Sequence, residues 1–129
     1  MSNPFLKKIL IVDDEQEALT HLSNILKRAD YQVISTTKGK EAVDLAMKLL
    51  PDLIILDMIM PDMGGSQVAS TLKENSSTSN IPIIFLSGII TSNQPEAAEE
   101  ETSRQHIMAK PIESKELLER INKIFLGEN

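Results

Sequence analysis

A doubly wound α/β sandwich is what this sequence predicts, and three observations carry that expectation. Apolar runs alternate with segments of helical period from one end of the chain to the other. Three of these runs, Ile9–Val12, Leu53–Leu56 and Ile83–Leu86, are continuous rather than alternating, which suits strands covered on both faces of a parallel sheet. The order reads βαβαβαβαβα, so successive strands are joined by right-handed crossovers. Tyr31–Thr36 alternates more and His106–Ala109 is less apolar. Both are assigned to sheet edges.

The helices between the strands have recognisable ends. Asp14 is placed as the cap of the first, with Glu17 at the capping-box position and Ala18, Leu19, Leu22, Ile25 and Leu26 on the buried face. Lys27 and Arg28 close it, where cations complement the helix dipole. The second runs from about Lys38 to Leu50, buries Ala42, Val43, Ala46 and Leu49, and is stopped by Pro51. A shorter third helix follows Gly65 with Val68 and Leu72 inward, and the polar stretch Asn75–Asn80 is read as a loop. A fourth, poor in apolar residues and loosely docked, is expected between Thr91 and Arg104, where Glu99–Glu101 forms a solvated charge run. The last begins at Ser114, buries Leu117, Leu118, Ile121, Ile124 and Phe125, and is capped by Gly127.

The 129 residues suffice for one compact domain, with a core from about residue 7 to 127, and are too few for two. No apolar run is long enough to cross a bilayer and no signal-like stretch opens the chain, so a cytoplasmic protein is expected. Absence of cysteine removes disulfides and thiolate metal sites, and His21 and His106 lack the companions that zinc requires. The net charge is −6 with no basic stripe, which argues against direct nucleic-acid binding.

In an open parallel sheet, ligands bind beyond the carboxyl ends of the strands. Those ends carry Asp13 and Asp14 after the first strand, Asp57 after the third, Ser87 after the fourth and Lys110 after the fifth. Three carboxylates brought together repel, and one would protonate unless a cation intervened. Oxygen ligands in small number suit Mg²⁺, which keeps several waters and binds beside phosphate. Lys110 adds a positive charge for an incoming anion and Ser87 a hydroxyl donor. A carboxylate beside Mg²⁺ and a lysine can attack phosphorus and become an acyl phosphate. Each residue alone has a plainer role: Asp14 as a helix cap, Asp13 as a polar strand end, Ser87–Gly88 as a turn, Lys110 as a surface cation. Their joint placement at four strand ends is not accounted for by such roles.

The pair Asp13–Asp14 after an apolar strand resembles the acidic pair of response-regulator receiver domains. Leu56–Asp57–Met58–Ile59–Met60–Pro61–Asp62–Met63–Gly64–Gly65 is similar to the family's phosphoacceptor segment, an aspartate followed by x-x-Met-Pro-x-Met-x-Gly. Ser87–Gly88 stands where the family has Ser or Thr and then usually Ala, and Lys110–Pro111 matches its Lys-Pro. The resemblance covers essentially the whole chain. It implies a flavodoxin-like (βα)5 fold with strand order 2-1-3-4-5. It implies that Asp57 accepts phosphoryl from a histidine-kinase phosphohistidine, and that Asp13, Asp14, Asp57 and the backbone carbonyl of Ile59 ligate Mg²⁺. Ser87 and Lys110 would contact the phosphoryl oxygens, and the Lys110–Pro111 bond would be cis. The implied partners are a sensor histidine kinase or phosphotransfer protein and an unidentified downstream protein. The implied function is a phosphorelay switch rather than a turnover enzyme. Two positions depart from the family: Ile107 stands where many members carry a switch Tyr or Phe, and Ser103–Arg104 where Gly-Ala is frequent.

Two rival functions fit less well. An aspartyl phosphatase of the Mg²⁺-dependent kind resembles a pattern with a second acid two residues after the nucleophile, where this chain has Ile59. A nucleotide or flavin carrier needs a Gly- or Ser/Thr-rich phosphate cradle after the first strand, and Asp13–Asp14–Glu15 would repel one.

Overall fold

The computed structural model describes residues 6–88 and 106–127. Within them the elements run β1 (Lys8–Val12), α1 (Gln16–Arg28), β2 (Gln32–Thr36), α2 (Gly39–Leu49), β3 (Leu53–Asp57), α3 (Gly65–Glu74), β4 (Ile83–Ser87), β5 (His106–Ala109) and α4 (Ser114–Phe125). The five strands form one sheet in the order β2-β1-β3-β4-β5, every pairing parallel. The expected doubly wound architecture is the observed one, with β2 and β5 at the edges. The helix expected between Thr91 and Arg104, and Ser103–Arg104 with it, lies outside the described residues.

Alternation along the central strands splits the core into two layers, because successive side chains point to opposite faces. Ile9, Ile11, Leu53, Ile55, Ile84 and Leu86 pack on one face with Leu19, Leu22 and Leu26 of α1 and Leu117 and Ile121 of α4. Leu10, Val12, Ile54, Leu56, Ile83 and Phe85 pack on the other with Ala42 and Ala46 of α2 and Val68, Ala69 and Leu72 of α3. Continuous apolar runs are thus consumed in alternate directions. That is why neither face of β1, β3 or β4 could be polar.

Several helix ends differ from expectation. Glu15, not Asp14, occupies the N-cap of α1 and makes no side-chain cap bond; the Glu15 N–H instead donates to Asp13 Oδ1 at 3.0 Å. Asp14 is drawn away by its place in the acidic cluster described below. Leu49, expected inside α2, is 36% exposed because it falls at the last turn. Leu50 follows it in the left-handed conformation at φ 47° before Pro51. The Asn75–Asn80 stretch is a loop, as expected, tied down where the buried Thr78 hydroxyl donates to the Leu72 carbonyl at the end of α3. Gly127 has φ 77° and donates its N–H to the Ile124 carbonyl, as a C-terminal cap requires.

Candidate functional site: an acidic pocket at the strand ends

Parallel register brings the site together. Val12 is level with Leu56, so Asp13 and Asp57, each one residue further on, emerge side by side. Asp57 is level with Leu86, and Ser87 with Ala109, which sets Lys110 one residue beyond the same edge. Asp13, Asp14 and Asp57 each offer a carboxylate oxygen within 4.8 Å of the others. Asp13 is fully buried and Asp57 nearly so, whereas Asp14 is exposed at the mouth.

Lys110 closes the pocket from β5. Its Nζ lies 2.9 Å from Asp13 Oδ2 and 3.5 Å from Asp57 Oδ2, with a quarter of the side chain still open to solvent. Burial alone would lower the lysine's pKa, but the contacts with Asp13 and Asp57 outweigh it and hold the ammonium above its ordinary value. Asp57 is pushed the other way from a free carboxylate. Burial raises its pKa first, and the charge of Asp13 and a hydrogen bond with Asp14 add to this. The Ile59 N–H, donating to Asp57 Oδ1 at 3.3 Å, and Lys110 oppose the rise without cancelling it. Ionised Asp57 is therefore short of positive charge.

That shortage is also visible at one atom. Asp13 Oδ2 is buried and has no well-formed hydrogen bond, only the ammonium charge of Lys110 beside it. That one ammonium serves two buried carboxylates, Asp13 and Asp57, and a buried negative charge is costly unless it is fully paired. The three oxygens and their chemistry fit Mg²⁺, with room for water ligands on the exposed side of Asp14.

The other residues singled out from the sequence are distributed around this pocket. Ser87 ends β4, half-buried, and its carbonyl accepts the Lys110 N–H at 3.0 Å. Gly88 is exposed, with open space where a Cβ would project. The Lys110–Pro111 bond is cis, as the resemblance implied. Ile107 lies level with Phe85 and packs half-buried against the α2–α3 layer. Ile59 projects 61% exposed at the rim. Next to the pocket, between α1 and the turn after β5, a groove of about 470 Å³ is lined by Ala18, His21, Leu22, Pro111 and Ile112, with Asp13 and Lys110 also in its wall.

One residue of this region drew no role from the sequence. Asp62 crosses to α2, where its Oδ1 accepts the Gly39 N–H at 3.0 Å and its Oδ2 the Lys40 N–H at 3.2 Å. Those two bonds hold its carboxyl below the ordinary carboxylate range. The available signal was negative. The Lys38–Gly39–Lys40 start of α2 contains no Ser, Thr, Asp or Asn, so its first N–H groups had to find acceptors elsewhere.

The family profile of the response regulator receiver domain matches residues 9–122. This chain belongs to that family. Receiver domains are the switch modules of two-component signalling, and the relatives agree with that assignment. The protein PilH of Pseudomonas aeruginosa is 31% identical over 125 residues, 95% of this chain and 100% of PilH. A protein named histidine kinase P4 of Formosa agariphila is 44% identical over 78 residues, 60% of this chain but 6% of the kinase's length. The crystallised chemotaxis protein CheY4 of Vibrio cholerae superimposes with a TM-score of 0.81 at 26% identity, covering 92% of this receiver and 98% of CheY4. Among the described residues no helix is long and apolar enough to cross a membrane.

Proposed function

We propose that this receiver domain accepts a phosphoryl group on Asp57 from a phosphohistidine of a sensor kinase or phosphotransfer protein, with Mg²⁺ held by Asp13, Asp14, Asp57 and the Ile59 carbonyl. The observation that carries the reading is the buried Asp13–Asp57 pair with Lys110 Nζ within 3.5 Å of both. Mg²⁺ bound there would offset the negative charge that spreads over the transferring oxygens.

The protein's own groups supply the rest. An Asp57 carboxylate oxygen attacks phosphorus, the bond from phosphorus to the donor imidazole nitrogen breaks, and its electron pair stays on that nitrogen. Asp57 becomes an acyl phosphate. Lys110, kept protonated by its acidic neighbours, pairs with a phosphoryl oxygen as the group arrives. Ser87, at the end of β4, lies at the same strand edge and donates its hydroxyl to another. The Ile59 N–H holds Asp57 Oδ1 and leaves Oδ2 on the Lys110 side as the attacking atom. Water returns the domain to its starting state, so the cycle transmits a signal rather than turning over an external substrate. The donor approaches the pocket mouth along the groove beside α1, whose apolar wall is continuous with Asp13 and Lys110. Downstream output passes through contacts with a further protein.

Acetyl phosphate with Mg²⁺ should add one phosphoryl group, seen by intact mass, and peptide mapping should locate it at Asp57. Asp57→Asn should not label. Full labelling of that variant would overturn the assignment.

A further inference from the structure

The loop from Met58 to Gly64 joins Asp57 to α3, and whatever it offers to a metal depends on its shape. Its far end is pinned locally. The Gly65 N–H donates to the Met58 carbonyl at 3.0 Å, and a Cβ on Gly65 would come within 2.8 Å of Met58 Cα. Its middle is pinned from outside by Asp62, which takes the N–H groups of Gly39 and Lys40 at 3.0 and 3.2 Å. At the same place Gly39 is buried beneath Met63, and a Cβ there would lie 2.8 Å from the Met63 carbonyl oxygen. The start of α2 and this loop therefore meet nearly backbone to backbone. Lys38, the N-cap of α2, makes no side-chain cap bond, and Gly64, the N-cap of α3, has no side chain to offer. Asp62 commits both oxygens to the distant helix.

We propose that Asp62 is a positioning residue for phosphorylation of Asp57: by bridging to the first two N–H groups of α2, it holds the Met58–Gly64 loop in the form that presents Ile59 to the metal and Asp57 to the donor. This rests on the reading of Asp57 as phosphoacceptor. The bridge ties α2 to the loop without touching the pocket. Its loss widens the set of loop conformations, and only a fraction of them keeps the Ile59 backbone in place.

The test uses the full chain with acetyl phosphate as donor, and Mg²⁺ titration as an independent readout. Asp62→Ala should weaken Mg²⁺ and slow labelling each by about five-fold, the equilibrium factor for loss of an N-terminal cap. In the metal-free protein it should shift the Ile59 amide resonance. Asp62→Asn keeps one acceptor oxygen and should fall between. Asp44→Gly, exposed in the middle of α2, weakens the same helix without reaching the loop and should bind Mg²⁺ and label as wild type. An Asp62→Ala protein with wild-type Mg²⁺ affinity and labelling rate would reduce Asp62 to a helix cap and overturn the proposal. So would equal losses in Asp44→Gly. A wild-type chain that labels elsewhere than Asp57 would instead remove the phosphoacceptor reading, and the proposal with it.

Discussion

As the proposed phosphoacceptor, Asp57 would hold two opposed requirements in one side chain: it would have to be ionised to attack phosphorus, and it sits where burial and Asp13 disfavour its charge. Folding raises its pKa, so the native state keeps the proton to higher pH than the unfolded chain does. Stability from this group is present below the ordinary carboxylate range. It is lost as pH rises through the raised folded value. Asp57→Asn carries no such charge. Without Mg²⁺ at neutral pH it should melt higher than wild type. At pH 3 the gap should close, because the wild-type carboxyl is then protonated. A calorimetric scan in chelator showing the variant less stable at pH 7 would refute this account of the site. Asp13 and Lys110 are bound by the converse logic. Asp13→Ala removes the carboxylate 2.9 Å from Lys110 Nζ and one of the three oxygens of the acidic cluster. Its Mg²⁺ affinity should fall at least ten-fold, since the ion tolerates incomplete coordination poorly. Unchanged affinity by titration would count against the pocket.

Elements divide between those that build the pocket and those that give access to it. The β3–α3 connection builds it, and Gly65 is where it has no slack. A Cβ at Gly65 would press on Met58 Cα at 2.8 Å and closer still on the Asp57 carbonyl oxygen, both backbone atoms that cannot turn aside. Gly65→Ala should cost roughly 2 kcal/mol, in the range of overpacked core sites. Denaturant unfolding would show this as a lower midpoint at unchanged slope. Helix α1 gives access. Ala18 lines the groove beside Lys110 and Pro111, and a long cation there would obstruct the proposed approach of a donor protein while leaving the pocket open. Ala18→Arg should slow transfer from a phosphohistidine protein by about ten-fold, as truncating or blocking a central contact does. The rate with acetyl phosphate should not change. Equal slowing with both donors would place the damage in the pocket rather than at the groove.

For the whole molecule, the arrangement means that binding of the proposed metal would be linked to folding. Asp13 and Asp14 follow β1 and Asp57 ends β3, so their oxygens lie within 4.8 Å of one another only while those strands pair. An ion that binds the native state alone stabilises it by about 2.7 kcal/mol at a hundred times its dissociation constant. Mg²⁺ should therefore raise the melting temperature of the wild type in a concentration-dependent way and that of Asp13→Ala much less. A melting temperature indifferent to Mg²⁺ would mean that the carboxylates do not act together. Ile107 adds a second consequence at this scale. It is wedged half-buried against the α2–α3 layer, and its branched Cβ restricts rotation about the first side-chain torsion. Beryllofluoride, mimicking the phosphoryl group, should leave its rotamer unchanged by NMR.

Much of this was readable without coordinates, and the reason is periodicity. The continuous runs at Ile9, Leu53 and Ile83 suit strands buried on both faces, and their alternation with helical segments then points to crossovers and one functional edge. Asp13, Asp57 and Lys110 were legible because strand ends are legible. Their charges matter through position along the chain, and a parallel register converts position into proximity. What local pattern could not supply were choices made by competing partners in space. Asp14 follows the rules of a helix cap, yet the α1 cap falls to Glu15 while Asp14 joins the acidic cluster. Leu49 keeps the helical period of α2 but lies where the layer ends. Asp62 reads as one variable position in a loop motif, and its partners lie 22 and 23 residues away. A sequence determines which backbone groups will need partners. Only the folded chain decides which distant side chain arrives to meet them, because hydrogen bonds answer to distance in space.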